Sequence, residues 1–209
     1  MRYGVAQQVQ HYADLNDIHH VVLSHYHYDH FSDVGVLLFS RLVNTQLKKV
    51  NKPLSIYGPI SEQMAKRVEE VPHATFTGYH EESQLKIGPF TLEFKRNMHP
   101  VEAYSIKITS GNKTIVYTSD TSYTEDLVNF ASGADLLITE CSLYEGMDGI
   151  SSGHMTSKEA GILADKSEAK AVLLTHLPHY GDLNELVKSA KKEGNFNIRL
   201  AEVGMVVGV

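Results

Sequence analysis

The sequence SHYHYDH at residues 24–30 constrains this chain more than any other stretch does. It directly follows the apolar run at residues 21–23, which predicts a buried strand that ends at the motif. Side chains two residues apart in extended backbone point the same way, so His25 and His27 can reach one point. Imidazole and carboxylate groups are suitable ligands for zinc, iron or manganese. The motif therefore predicts a metal site at a strand end.

Further potential ligands follow other predicted strands. Asp29 and His30 can reach past the point shared by the first two histidines, so the motif is compatible with two neighbouring metal ions. Two ions need more donors than one segment supplies. The donors that come just after later apolar or alternating runs are His99, Asp120 and His176. Because open α/β folds carry their chemistry at strand ends, we expect these side chains to complete the site.

The predicted elements change character along the chain. Residues 5–13 and the longer stretch 31–49 have helical spacing, whereas residues 84–120 alternate around turns and predict consecutive antiparallel strands. From residue 121 onward, helical and strand patterns alternate, which places helices over the faces of a sheet. The chain is expected to end in a pair of short strands, at residues 197–201 and 204–209.

Composition excludes several classes of protein. The chain has 209 residues, of which 42% are hydrophobic, and we expect a single domain over residues 1–209. A formal net charge of −6 argues against a binder that relies on global attraction to nucleic acid. No segment has the pattern of a membrane span or a signal peptide, so we expect a cytoplasmic protein without membrane contact. The single cysteine, Cys141, excludes an internal disulfide framework.

With the later His, Asp and His, the H-x-H-x-D-H motif resembles the metallo-β-lactamase superfamily. The resemblance implies an α/β fold, the αββα sandwich, and two divalent metal ions, with zinc expected first and manganese or iron as alternatives. It implies that the ligands of one ion are His25, His27 and His99, that those of the other are Asp29, His30 and His176, and that Asp120 bridges the two. Members of the superfamily open with strands before their first helix, whereas this sequence opens with MRYGVAQQVQ and the helical pattern of residues 5–13. We therefore also expect the first N-terminal strands of the fold to be lacking here.

Two further motifs indicate the reaction. The segment SGHMTS carries His154, and it resembles the ribonuclease Z and small phosphodiesterase branch of the superfamily, in which a histidine acts beside the metals. The segment ITECS carries Glu140 at the position of the glutamate that orients this histidine. We therefore expect attack on phosphorus by a metal-bridging hydroxide, with His154, Asp29 and Glu140 as catalytic residues. The segment THLPHY places His179 where the branch has an arginine, so His179 could replace that arginine weakly or simply pack.

Several alternatives stay open. The expected substrate is a small phosphodiester or a short single-stranded nucleic acid, because the 20 or so residues between His99 and Asp120 leave no room for a long tRNA-binding arm. The alternative within enzymes is hydrolysis of a carbonyl ester, a thioester or a lactam. The non-enzyme alternative is a truncated, inactive relative that still binds metal. Uncovered sheet edges would favour pairing with another chain, so we expect a homodimer.

Overall fold

The computed structural model describes residues 4–209, which form two compact units. The first unit extends to His80 and the second comprises Glu81–Val209. Each unit contains one β-sheet, of three strands in the first and seven in the second. Across the described residues, no helix is both long and apolar enough to cross a membrane.

The first unit is built on three parallel strands in the order β1, β2, β3. These strands are β1 (His20–Val22), β2 (Leu54–Pro59) and β3 (Ala74–Tyr79). Its helices are α1 (Val5–Val9), α2 (Tyr28–Phe31), α3 (Val34–Gln46) and α4 (Glu62–Glu69), with a short 3-10 turn at Leu15–Asp17. Parallel neighbours require a crossover, and α3 and α4 provide the two crossovers. Leu38 of α3 and Val68 of α4 belong to the same buried apolar cluster as Ile56 of β2.

The second unit begins with four antiparallel strands and continues with parallel ones. The antiparallel strands are β4 (Gln84–Ile87), β5 (Phe90–Arg96), β6 (Tyr104–Ser110) and β7 (Lys113–Tyr117). The strands that continue in parallel from β7 are β8 (Leu136–Glu140), β9 (Val172–Thr175) and β10 (Ile198–Leu200). The helices are α5 (Glu125–Ala131), α6 (Gly149–Ser152), α7 (Ser157–Lys166) and α8 (Leu183–Ala190). The antiparallel region and the later alternation of helices and strands are thus confirmed.

The parallel half of the seven-stranded sheet determines where its polar strand ends lie. Because β7, β8 and β9 are parallel neighbours, their carboxyl ends meet at one edge of the sheet. Glu140 pairs with Thr175 in the register of β8 and β9. Asp120, Glu140 and His176 therefore come from the same edge of this unit.

Three sequence expectations about elements differ from the structure. The predicted helix over residues 31–49 is shorter, because the chain first makes the separate turn α2 and α3 then covers Val34–Gln46. The helix at residues 5–13 ends at Val9. The last expected strand, at residues 204–209, is wrong: Gly204 turns the chain with a φ of 77°, and no backbone ladder follows within the described residues.

Candidate functional site

In the first unit, the SHYHYDH segment brings its own donor atoms together. Nε2 of His25 lies 3.2 Å from Nδ1 of His27, and Oδ2 of Asp29 lies 3.3 Å from Nε2 of His30. The backbone is extended at His27, and the α2 turn then curls the chain back, so the rings of His25 and His30 approach to 4.0 Å between centroids. Ser24 Oγ contacts Nδ1 of His25 at 3.1 Å, which leaves Nε2 of His25 to face the other donors.

In the second unit, donors from three different strand ends and one turn converge. The potential ligand atoms of Asp120, His154 and His176 all lie within 4.8 Å of one another. Nε2 of His176 lies 3.3 Å from Oδ2 of Asp120. The ring of His154 stacks on that of His176, with 5.4 Å between centroids, and meets the edge of the His99 ring at 5.2 Å. Four of the predicted site residues are thus neighbours within this unit.

These donor sets fit a divalent metal ion such as zinc. Two donors bound to one tetrahedral zinc ion, each at about 2.0–2.1 Å from it, lie about 3.3 Å apart. The donor pairs with nearly this separation, at 3.2, 3.3 and 3.3 Å, are His25 with His27, Asp29 with His30, and Asp120 with His176. A hydrogen bond gives a similar distance in any one pair, so the stronger criterion is the donor chemistry: nitrogen and oxygen without thiolate, as in catalytic sites.

One of these donors, His176, and one neighbour of a donor, Ser119, have unusual backbone conformations. His176 has a φ of 50° and Ser119, next to Asp120, has a φ of 55°. A residue other than glycine in this left-handed region costs on the order of 1–3 kcal/mol, and such residues concentrate at functional sites. The sheet edge that carries Asp120 and His176 therefore shows the local strain that is typical of an active site.

A backbone carbonyl determines which nitrogen of His99 is able to act as a metal ligand. Nδ1 of His99 lies 2.9 Å from the carbonyl oxygen of Gly153. A carbonyl oxygen only accepts, so Nδ1 carries the hydrogen and Nε2 keeps its lone pair. Metal-binding histidines are commonly oriented in this way by a second hydrogen bond.

Glu140 is fully buried and its carboxylate is surrounded by donors. It accepts hydrogen bonds from the backbone N–H groups of Thr121, Ser142 and Met155, at 2.8, 3.3 and 3.1 Å. These bonds compensate the carboxylate for its loss of water. Oε1 of Glu140 also lies 2.9 Å from Nδ1 of His154, so the glutamate orients this histidine. The structure thus brings together the two residues that the sequence motifs pair.

Asn97 was missed by the sequence reasoning, although it organises the loops around two of the donors. Its Nδ2 donates to the backbone carbonyls of Thr118 and Asp120, at 2.8 and 2.9 Å. Its Oδ1 accepts from the backbone N–H and the hydroxyl of Ser105, at 2.9 and 2.7 Å. The available signal was an amide residue at a strand end, two positions before His99.

Ser142 was missed as well, and its signal was its spacing. It lies two residues after Glu140, just past the end of β8, and side chains at this spacing can share one side of a strand end.

Two other residues that the sequence singled out lie outside the donor groups. His179 is exposed to solvent, and this exposure argues against the alternative in which it simply packs. Cys141 is fully buried, and burial raises the pKa of its thiol to about 12, so it stays protonated.

Comparison with known proteins identifies the family. Residues 3–177 match the family described as "Beta-lactamase superfamily domain". The chain belongs to the metallo-β-lactamase superfamily. It is 41% identical to the probable metallo-hydrolase YhfI of Bacillus subtilis over 196 residues, 93% of this chain and 80% of that protein. The crystal structure of YhfI, a metallo-β-lactamase fold protein, aligns with a TM-score of 0.94 and 37% identity, over 98% of this chain and 84% of the other.

The chain is also similar to ribonuclease Z over part of its length. The chain is 37% identical to ribonuclease Z of Metallosphaera sedula over 79 residues, which are 37% of this chain and 27% of that enzyme. The human short-form tRNase Z shares the fold, with a TM-score of 0.74 and 21% identity over 98% of this chain and 85% of the other. The expected fold class is therefore confirmed, and the chain is a member of a superfamily of metal-dependent hydrolases that use divalent metal ions.

Proposed function

We propose that this metallo-β-lactamase superfamily protein is a dinuclear, metal-dependent phosphodiesterase. The observation that carries the proposal is the contact of 2.9 Å between Glu140 and His154, next to His176 and Asp120. A buried carboxylate that fixes one nitrogen of a histidine leaves the other nitrogen to exchange a proton with a substrate. Such a pair is useful for a leaving alkoxide, which needs a proton as the bond to phosphorus breaks.

The metal ligands are part of this proposal. Zinc is the ion we expect, with manganese or iron as alternatives. As the family resemblance implies, seven residues would hold two ions, and these are His25, His27, Asp29, His30, His99, Asp120 and His176. The aspartates have the further task of offsetting the positive charge that neutral imidazoles cannot offset. When bound, divalent ions would lower the pKa of water at the site to near neutrality, which would supply a nucleophile at neutral pH.

The residues of the chain itself would then divide the remaining tasks. Glu140 accepts the Nδ1 hydrogen of His154 and so keeps its Nε2 available. In its doubly protonated form, His154 would deliver the hydrogen of Nε2 to the leaving oxygen of the substrate, and it would become a neutral imidazole whose Nδ1 hydrogen stays hydrogen-bonded to Glu140. His99, whose Nδ1 is bound to Gly153, presents Nε2 as a ligand in the same way.

The leaving group of the substrate provides a sharp test. With two equivalents of zinc or manganese bound, the protein should hydrolyse both a nitrophenyl phosphodiester and a dinucleotide. His154→Ala should lower kcat on the dinucleotide by about 10²–10⁴-fold, because its alkoxide leaves poorly without an acid. The same variant should affect the nitrophenyl ester much less, since nitrophenolate needs no proton. His11→Ala is the matched control, because His11 is exposed and outside the donor groups.

Other outcomes select the alternatives. Turnover of thioesters, carbonyl esters or lactams without phosphodiester turnover would support the alternative hydrolase. Stoichiometric metal without any turnover would support an inactive metal-binding relative. A protein that binds no metal at all would exclude the dinuclear proposal.

The proposal includes three further points about the protein as a whole. Residues 1–209 would act as a single hydrolase domain, located in the cytoplasm. Its substrate would be a small phosphodiester or a short single-stranded nucleic acid rather than a tRNA. The protein would be a homodimer, which light scattering of the purified protein checks directly.

A further inference from the structure

We infer that Ser142 is a positioning residue that lets the single carboxylate of Glu140 control two histidines at once. Glu140 contacts His154 directly and reaches His176 through the hydroxyl of Ser142. The metal-binding part of this inference rests on the proposed function, in which His176 is a ligand, whereas the hydrogen-bonding part does not.

The hydrogen-bonded chain from Glu140 through Ser142 to His176 is called the relay here, and its distances define it. Ser142 Oγ lies 2.7 Å from Oε2 of Glu140 and 2.6 Å from Nδ1 of His176. The same hydroxyl is 3.2 Å from the backbone carbonyl of His176 and 3.5 Å from Nδ1 of His154, both much weaker contacts. The relay follows from the sheet, because β8 and β9 are parallel neighbours and Cys141 N–H bonds to the carbonyl of Thr175 at 2.9 Å. Ser142 and His176 are therefore held beside each other.

Counting hydrogens determines the direction of the relay. A serine hydroxyl carries one hydrogen, yet Ser142 makes two short contacts that each require one. The carboxylate of Glu140 receives three backbone N–H groups and acts as an acceptor on both oxygens. The hydroxyl therefore donates to Glu140, and the hydrogen of the other contact comes from Nδ1 of His176.

This direction has a consequence for His176. Its Nδ1 carries the hydrogen, so its Nε2 has the lone pair, and Nε2 is the atom that lies 3.3 Å from Oδ2 of Asp120. A neutral imidazole can bind a cation only through the nitrogen that has no hydrogen. Ser142 thus keeps His176 in the tautomer that is able to act as a ligand.

The hydrogen-bonding claim can be tested without any metal. Nitrogen NMR of the histidine rings in the metal-free protein should show His176 protonated at Nδ1 in the wild type. Ser142→Ala should let the Nε2-protonated form appear, and Ser142→Thr, which keeps the hydroxyl, should restore the original form. A wild-type His176 that is protonated at Nε2 would overturn the inference even if the alanine variant does not fold.

The metal-binding claim is tested by zinc competition with a chromophoric chelator. Ser142→Ala should weaken one of the two zinc equivalents by about 10–100-fold, and the threonine variant should bind like the wild type. The control is Ser157→Ala, because Ser157 is a fully buried serine of the same unit whose hydroxyl has no hydrogen-bond partner among the described residues. Equal zinc affinities for wild type and Ser142→Ala would refute the relay as a determinant of binding. Absence of zinc from the wild type would instead refute the proposed function.

Discussion

The carbonyl of Gly153 accepts a hydrogen bond from Nδ1 of His99 at 2.9 Å, although the two residues are 54 positions apart in the chain. Gly153 ends the short helix α6 with a φ of 73°, and His154 follows it directly. The turn that carries His154 is therefore also the support of His99. The positive φ and the close approach of His99 together explain why a glycine stands there.

Replacing Gly153 by alanine should damage both the fold and the site. An added Cβ would lie 2.5 Å from Cδ of Pro100 and 3.0 Å from Nδ1 of His99. Backbone strain alone should cost roughly 1–3 kcal/mol, and the clash adds to that cost. Urea unfolding and zinc competition measure the two effects. Gly146→Ala is the control, since Gly146 also has a positive φ but a Cβ added there would meet no atom within 4 Å, so this variant should lose stability but not zinc.

Asn97→Ala should destabilise the protein by about 3 kcal/mol, at about 1 kcal/mol for each hydrogen bond removed. The variant removes the bonds to the carbonyls of Thr118 and Asp120 and the bond from the backbone N–H of Ser105. Denaturant unfolding of the metal-free protein gives the loss of stability. Asn44→Ala, which removes a single contact of 3.2 Å to Ser40, should change stability by less than about 1 kcal/mol. Equal losses in the two variants would contradict the role assigned to Asn97.

Asp135 should make stability depend on pH in the acid range. A hydrogen bond from Lys170 at 2.8 Å and one from the backbone of Thr114 at 2.9 Å lower the pKa of Asp135 from 3.8 to about 2. A pKa that is lower in the folded state stabilises the protein above the ordinary value, and this contribution is lost as the pH falls from about 4 toward 2. Asp135→Asn should therefore lower the urea midpoint at pH 7 and have a much smaller effect at pH 2.5.

The control for this pH series is Asp165→Asn, which removes an exposed carboxylate from the same unit. Its urea midpoint should remain close to the wild-type value at both pH values. A loss for Asp135→Asn that is constant from pH 7 to pH 2.5 would rule out the ionised carboxylate as the cause.

Cys141 should not react in the folded protein. Its thiol is buried and its pKa is raised to about 12, first by burial and then by the neighbouring charge of Glu140, so almost no thiolate forms at neutral pH. A disulfide reagent should modify Cys141 only after the protein is unfolded in urea, and should then modify one equivalent. Hydrolysis should be unaffected when the native protein is treated. Rapid modification of the native protein would show that the strand end of β8 opens in solution.

Much of the fold was predictable because the hydrophobic pattern follows the period of each element. The alternation at residues 84–120 predicted the antiparallel strands, and the later pattern predicted α7, β9 and α8. The short elements α2 and α6 were not predictable, since a four-residue turn has no period to detect. The strand expected at residues 204–209 shows the reverse error, because an apolar run forms a strand only beside a partner.

The sequence by itself determined which side chains could act as donors and at which strand ends they stand, because ligand chemistry belongs to the residue type and strand ends follow from the apolar runs. Only the tertiary structure decided which nitrogen of each histidine carries the hydrogen. That choice depends on distant partners, Gly153 for His99, Glu140 for His154 and Ser142 for His176, which neighbouring strands and turns bring within hydrogen-bond distance. The tautomer of a histidine depends on the hydrogen-bond partners of its ring, and the residue pattern of the chain does not show which distant residues become those partners.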